Sequence, residues 1–96
     1  MKQFSIITDE FDKCFLCGSH RMIEVHHIFN ASNRNHSTKY GLVIPLCRWC
    51  HNTSPHGVHH NAQLNQVLKA QAQEKAMEHY GWTVDDFRKI FGKNYL

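Results

Sequence analysis

Two Cys-x-x-Cys pairs, Cys14 with Cys17 and Cys47 with Cys50, constrain this chain more than anything else in it. A domain of 96 residues buries a thin core and commonly needs a staple. Thiolates at i and i+3 in a tight turn grip a metal from one side, and two such turns complete a tetrahedral zinc site. The first turn reads Cys14-Phe15-Leu16-Cys17-Gly18, with Gly18 suited to positive φ. A redox Cys-x-x-Cys opens a helix after a strand in a βαβ pattern, which this sequence lacks. The first residues, Met1-Lys2-Gln3-Phe4-Ser5, carry no apolar signal-peptide core. No apolar stretch is long enough for a membrane span. The expectation is therefore a reducing, cytoplasmic setting, a structural Zn2+ held by four cysteines, and no disulfide. A closed tetrathiolate site has no open position for water, so by itself it predicts a fold and not an activity.

The chemistry must come from the nine histidines. Eight of them, His20, His26, His27, His36, His51, His56, His59 and His60, precede the body of the long helix, and only His79 follows. Joining the two knuckles draws the strand after Cys17 toward the segment after Cys50. His26, His27, His51 and His59 are then expected to converge beside the zinc. Neutral imidazoles ligate divalent first-row ions and leave positions for water and a phosphate oxygen. A remaining histidine, with an ordinary pKa of about 6.5, suits a general base. His20, His36 and His79 are read as ordinary surface or core residues, and His56 and His60 stay open.

A coarse pass along the chain gives the scaffold. Phe4 to Thr8 is expected as a short strand. Met22 to Phe29 is β-prone, with Ile23, Val25, His27 and Phe29 on one face and Glu24 and His26 on the other. Asn30 to Lys39 reads as a polar loop without apolar periodicity. Leu42 to Leu46 is a second strand that, because of Pro45, lies at an edge or ends there. His51 to Gly57 is a loop. From about His59, Leu64, Val67, Leu68, Ala72 and Ala76 recur at helical spacing, and Gly81 caps that helix. Thr83 to Asp86 looks like a capping box opening a short helix with Phe87, Ile90 and Phe91 on its apolar face. The fold class is small α+β: one domain over residues 1–96, with a motif core at 14–61 and a helical part at 62–96.

The run Glu24-Val25-His26-His27-Ile28, then Leu42-Val43-Ile44-Pro45-Leu46-Cys47-Arg48-Trp49-Cys50-His51, resembles the HNH endonuclease superfamily, and is most similar to small phage-encoded members. The resemblance implies a ββα-metal core, a β-hairpin and helix around one catalytic divalent ion (Mg2+, Mn2+, Ni2+ or Zn2+), and metal-dependent hydrolysis of DNA phosphodiester bonds. Carried over, His26 is a metal ligand, His27 the general base, His51 a ligand or phosphate contact, and His59 or His60 the helix-borne ligand. In place of the family's Asn before the second strand, the chain reads Tyr40-Gly41-Leu42, which leaves Asn33 or Asn35 to stand in.

A net charge of +3 is compatible with a polyanionic partner. Arg34, Lys39 and Arg48 are the candidate backbone contacts, with Lys69 and Lys75 behind them. The partners that the resemblance implies are DNA and, as a further option, a phage or host protein, in the cytoplasm (of a bacterial host cell if the chain is phage-encoded), with no membrane and no small-molecule cofactor. The alternative is a non-catalytic zinc module that binds DNA or a protein. A zinc deaminase is disfavoured because His-x-Glu and Pro-Cys-x-x-Cys are both missing.

Overall fold

The computed structural model of the chain describes residues 4–53 and 61–96. Strand β1 (Ile23–His27) is followed by a short turn at Ala31–Asn33, helix α1 (Arg34–Tyr40), strand β2 (Val43–Cys47), a helical turn at Trp49–Thr53, helix α2 (Ala62–Tyr80) and helix α3 (Val84–Phe91). The chain is thus a small α+β fold with a two-stranded sheet, and the strands pair antiparallel from Ile23↔Cys47 to His27↔Val43.

Pro45 sits inside β2 without loss. The Arg48 amide donates to the Met22 carbonyl at 3.0 Å and the Ile28 amide to the Leu42 carbonyl at 3.1 Å. Those two pairs fix the alternation, so Pro45 opposite Val25 falls in a non-hydrogen-bonded pair. Its missing N–H therefore points away from β1. On that outer edge the Pro45 carbonyl accepts from the Phe15 amide at 2.8 Å, which ties the first knuckle to β2.

The segment Phe4–Thr8 is not a strand. It crosses the α1–β2 junction as a bent segment, turned locally by the Ser5 hydroxyl, which accepts from the Ile7 and Thr8 amides, and held by the Ile6 amide on the Gly41 carbonyl at 2.9 Å and the Ser5 hydroxyl on the Val43 carbonyl at 2.8 Å. Two isolated bonds of that kind do not make a ladder. Gly41 permits the crossing: its φ is +73°, and a Cβ there would stand 2.8 Å from the Phe4 ring.

The expected polar loop at Asn30–Lys39 is largely helix. Tertiary packing supplies what periodicity lacked. The Ser37 hydroxyl, fully buried, bonds both the amide and the carbonyl of Phe29. Tyr40 closes the helix against Tyr80 and Trp82, at ring distances of 5.6 and 4.9 Å, and the Tyr80 hydroxyl donates to the Tyr40 carbonyl at 2.9 Å. The core beneath joins Ile28, Phe29, Leu42, Ile44 and Leu46 to Leu68, Ala72 and Ala76 of α2 and to Phe87 and Phe91 of α3.

The helical part follows its sequence signals closely, with two differences. Asn61 caps α2 by accepting from the Leu64 amide at 3.0 Å, and Thr83 and Asp86 form the capping box of α3. Val67, expected to be buried, is 50% exposed, whereas Gln73 is fully buried. Gln73 accepts from the Tyr95 amide at 2.7 Å and donates to Asn94 Oδ1 at 2.8 Å, which fastens the last residues to α2. A polar side chain with both ends satisfied is tolerated where apolar periodicity alone would exclude it.

Candidate metal centre and histidine pair

The hairpin delivers both knuckles to one end of the sheet. Cys47 is the last residue of β2, and β1 begins just after the first knuckle, so pairing Ile23 with Cys47 superposes the turns. The four Sγ atoms of Cys14, Cys17, Cys47 and Cys50 all lie within 4.8 Å of one another, with Cys17 and Cys47 at 3.6 Å. Zn–S bonds of about 2.3 Å in a tetrahedron demand S···S edges of about 3.8 Å. The donor set therefore fits one zinc-sized ion.

The amides fit as well. The Cys17 N–H points at Cys14 Sγ and the Cys50 N–H at Cys47 Sγ, each at 3.5 Å. Such bonds favour thiolate over thiol. Burial pushes the Cys14 thiol up, but the surrounding hydrogen bonds from Cys47, Cys17 and Leu16 outweigh it and bring the group down to about 6. Cys50 is driven the other way, first by burial and then by the sulfurs crowded around it. One thiolate forms readily while its neighbour resists, and a dication relieves that conflict by offsetting two of the four negative charges and holding every sulfur as thiolate.

His26 and His51 meet beside this centre. His26 is 2% exposed, and its ring stands edge-on to that of His51 with centroids 5.2 Å apart. His51 Nδ1 bonds Glu24 Oε1 at 2.8 Å, while Glu24 Oε2 lies 3.7 Å from Arg48 Nε. The His51 bond, and less strongly the Arg48 charge, hold the Glu24 carboxyl below its ordinary range. With Nδ1 as donor, the His51 lone pair is on Nε2. This is the carboxylate–histidine arrangement that orients metal-binding imidazoles. Glu24 carried no role in the sequence reading. Its signal was its place two residues before His26, which puts both on one face of a strand.

His27 faces different surroundings, as adjacent strand residues must. Its Nε2 is 3.0 Å from Thr38 Oγ1, and that hydroxyl donates to the Arg34 carbonyl at 3.3 Å. With the hydroxyl proton on the Arg34 carbonyl, Thr38 accepts from His27 Nε2–H, which puts the His27 lone pair on Nδ1. Burial, and then the Arg34 charge, lower the His27 pKa, so the ring stays neutral to lower pH than an ordinary histidine.

The remaining assignments divide. His56, His59 and His60 lie outside the described residues. His20 bonds the Asp12 carbonyl at 2.9 Å, His36 bonds Asn33 and packs on Phe91, and His79 packs on Tyr80. Asn33 donates to the Phe91 carbonyl at 2.9 Å, a bond that anchors the start of α1 to α3. Among the basic residues, Arg34 lies near His27 and Arg48 near His51, whereas Lys39 lies over the Tyr40 ring and Lys69 over Tyr95. Lys75 lines a separate groove beside Glu74 and Glu78. Among the described residues the only group of three or more metal-type ligands is the four cysteines, and no helix is long and apolar enough to cross a membrane. Comparison with protein-family models, with curated proteins and with solved structures gives no match.

Proposed function

We propose that the chain is a metal-dependent DNA endonuclease of the HNH, ββα-metal type, in which the tetrathiolate centre is structural and the histidines beside it do the chemistry. One observation carries the reading: buried His26 touches His51, His51 is oriented by Glu24, and the next residue, His27, is held by a separate hydroxyl. A purely structural role for the histidines gives no reason to orient His51 by a carboxylate and His27 by a hydroxyl.

His26 and His51 are the described residues that would hold the catalytic ion, with His59 as the expected third ligand. When bound, such an ion neutralises charge on the phosphate and on the leaving oxygen. His27 Nδ1 takes a proton from water, the water oxygen bonds to phosphorus in line, the bond to the 3′ oxygen breaks, and that oxygen takes a proton from solvent. The resemblance implies a 5′-phosphate and a 3′-hydroxyl. Arg34 and Arg48 contact the DNA backbone on either side of the histidines.

The test is plasmid cleavage in magnesium, manganese, nickel and zinc, with wild type and His27→Ala side by side. Cleavage in at least one metal, abolished by His27→Ala with zinc content retained, supports the reading. Undiminished cleavage by the variant removes His27 as base. The alternative, a non-catalytic zinc module, is favoured by Asn33, whose side chain is engaged with Phe91 and His36 rather than with His27. Absence of cleavage in every metal selects it.

A further inference from the structure

The mechanism above leaves a groove of about 540 Å³ without a role. Its lining holds none of the described histidines. The buried Ile28 and Ile44 form its floor. Leu68, Gln71, Ala72, Glu74, Lys75 and Glu78 of α2 form one wall, and Ile7 and Phe15 the other. Phe15 is 42% exposed although its amide is fixed on the Pro45 carbonyl, so the first knuckle holds an apolar ring open to water. Charge sets this region apart. Residues 7–15 and 71–78, the two stretches that bound the groove, carry five of the chain's eight acidic residues and two of its eleven basic ones. Their net charge is −3, which leaves +6 on the rest of the chain. Glu74 and Glu78 are exposed, one helical turn apart, and in no ion pair among the described residues. Like charges at that spacing repel each other in the free chain.

We propose that this groove docks an amphipathic, lysine- or arginine-bearing helix of a partner protein, with its apolar stripe on Ile28, Ile44 and Phe15 and its cations on Glu74 and Glu78. The proposal is independent of the nuclease reading. Three features select that occupant. The acidic rim attracts a cation and repels nucleic acid, in a chain that is otherwise basic. A second copy joined symmetrically through this face would set acidic wall against acidic wall. The outer edge of β2 offers an extended peptide no ladder. Pro45 has no N–H there, its carbonyl accepts from the Phe15 amide, and the Val43 carbonyl accepts from the Ser5 hydroxyl. A helix satisfies its own backbone and needs only an apolar trough with charge beside it.

The experiment uses the full zinc-loaded chain and three labelled model peptides of equal length. One is a leucine-striped helix flanked by lysine, one has glutamate in place of lysine, and one has serine in place of leucine. Anisotropy reads binding, and amide chemical shifts locate it. The expected result is binding of the leucine–lysine peptide alone, weakened by added salt, with shifts at Ile7, Phe15, Gln71 and Lys75. Glu74→Lys combined with Glu78→Lys is expected to weaken that peptide at least about tenfold and to admit the leucine–glutamate peptide. Zinc content and helical circular dichroism verify the double variant, and the comparison of peptides on wild type needs no variant at all. Equal binding of the serine peptide reduces the effect to charge, and equal binding of the glutamate peptide reduces it to apolar contact; either overturns the proposal. So do no binding, shifts confined to other residues, or an unchanged affinity in the double variant. Self-association of the chain that covers this face without peptide assigns it to a second copy and overturns the proposal as well. Peptide binding without cleavage in any metal leaves this proposal standing and removes the nuclease reading alone.

Discussion

The His27 imidazole and the Thr38 hydroxyl are 3.0 Å apart, and the hydroxyl in turn reaches the Arg34 carbonyl at 3.3 Å. This short relay from β1 into α1 determines which ring nitrogen of His27 carries the lone pair. It depends on α1 being a helix, because Thr38 and Arg34 come together only at a spacing of one turn.

Thr38→Val removes the acceptor while keeping the shape, so both His27 tautomers become accessible. The expected outcome is cleavage reduced about tenfold, with Thr38→Ser restoring it. Imidazole nitrogen chemical shifts check the cause directly. Wild type and Thr38→Ser should show His27 protonated at Nε2, and Thr38→Val a mixture. A pure Nε2–H form in Thr38→Val removes Thr38 as the orienting group.

Cleavage should rise with pH as His27 loses its proton. Burial and the Arg34 charge place that titration below the ordinary histidine range. The neutral base therefore persists to lower pH, and activity is lost only as pH falls through the lowered pKa. Arg34→Gln removes a like charge and should move the acidic limb to higher pH. A limb that stays in place, or moves lower, contradicts the electrostatic account.

Glu24→Gln keeps a hydrogen-bond acceptor for His51 but removes the charge. Loss of a carboxylate behind a ligating imidazole weakens metal binding about 10- to 100-fold. Titration calorimetry with manganese or nickel on zinc-loaded protein measures this. The tetrathiolate zinc should be untouched, so total zinc remains at one per chain. An unchanged affinity for the added ion means that His51 is not a ligand.

Stripping the structural zinc should unfold the hairpin end first. Cys47→Ser leaves three sulfurs, and chelation removes the ion outright. In both cases the expected result is loss of β1–β2 amide protection and a large fall in melting temperature, because metal-binding free energy is folding free energy in so small a domain. Hydrogen exchange checks the order. Protection retained in β1 and β2 after zinc removal argues against the staple.

Gln73→Leu replaces a buried polar side chain whose two ends are bonded. The Tyr95 amide loses its acceptor, whereas Asn94 Oδ1, on an exposed residue, keeps the Leu96 amide; a stranded buried amide costs about 1–3 kcal/mol. Chemical denaturation should show that loss. Exchange of the Tyr95 amide should accelerate, which places the effect at the C-terminal residues.

The sequence by itself determined the elements whose causes are local. Cys-x-x-Cys spacing marked the four cysteines that gather, apolar spacing and Gly81 marked α2, the Thr83–Asp86 box marked the start of α3, and Pro45 marked a free strand edge. Each depends on a few adjacent residues and on backbone chemistry that no distant contact has to supply. Tertiary structure alone decided the rest. It turned a polar stretch into α1 through a buried Ser37 and an aromatic cluster gathered from two distant parts of the chain. It left Phe4–Thr8 without a strand partner, since the Ser5 turn bends the chain there and two isolated bonds offer no continuous ladder. It also brought Glu24 to His51 and Thr38 to His27, at separations of 27 and 11 residues. No periodicity encodes such pairs, because they exist only once the hairpin, the knuckles and α1 have been packed together.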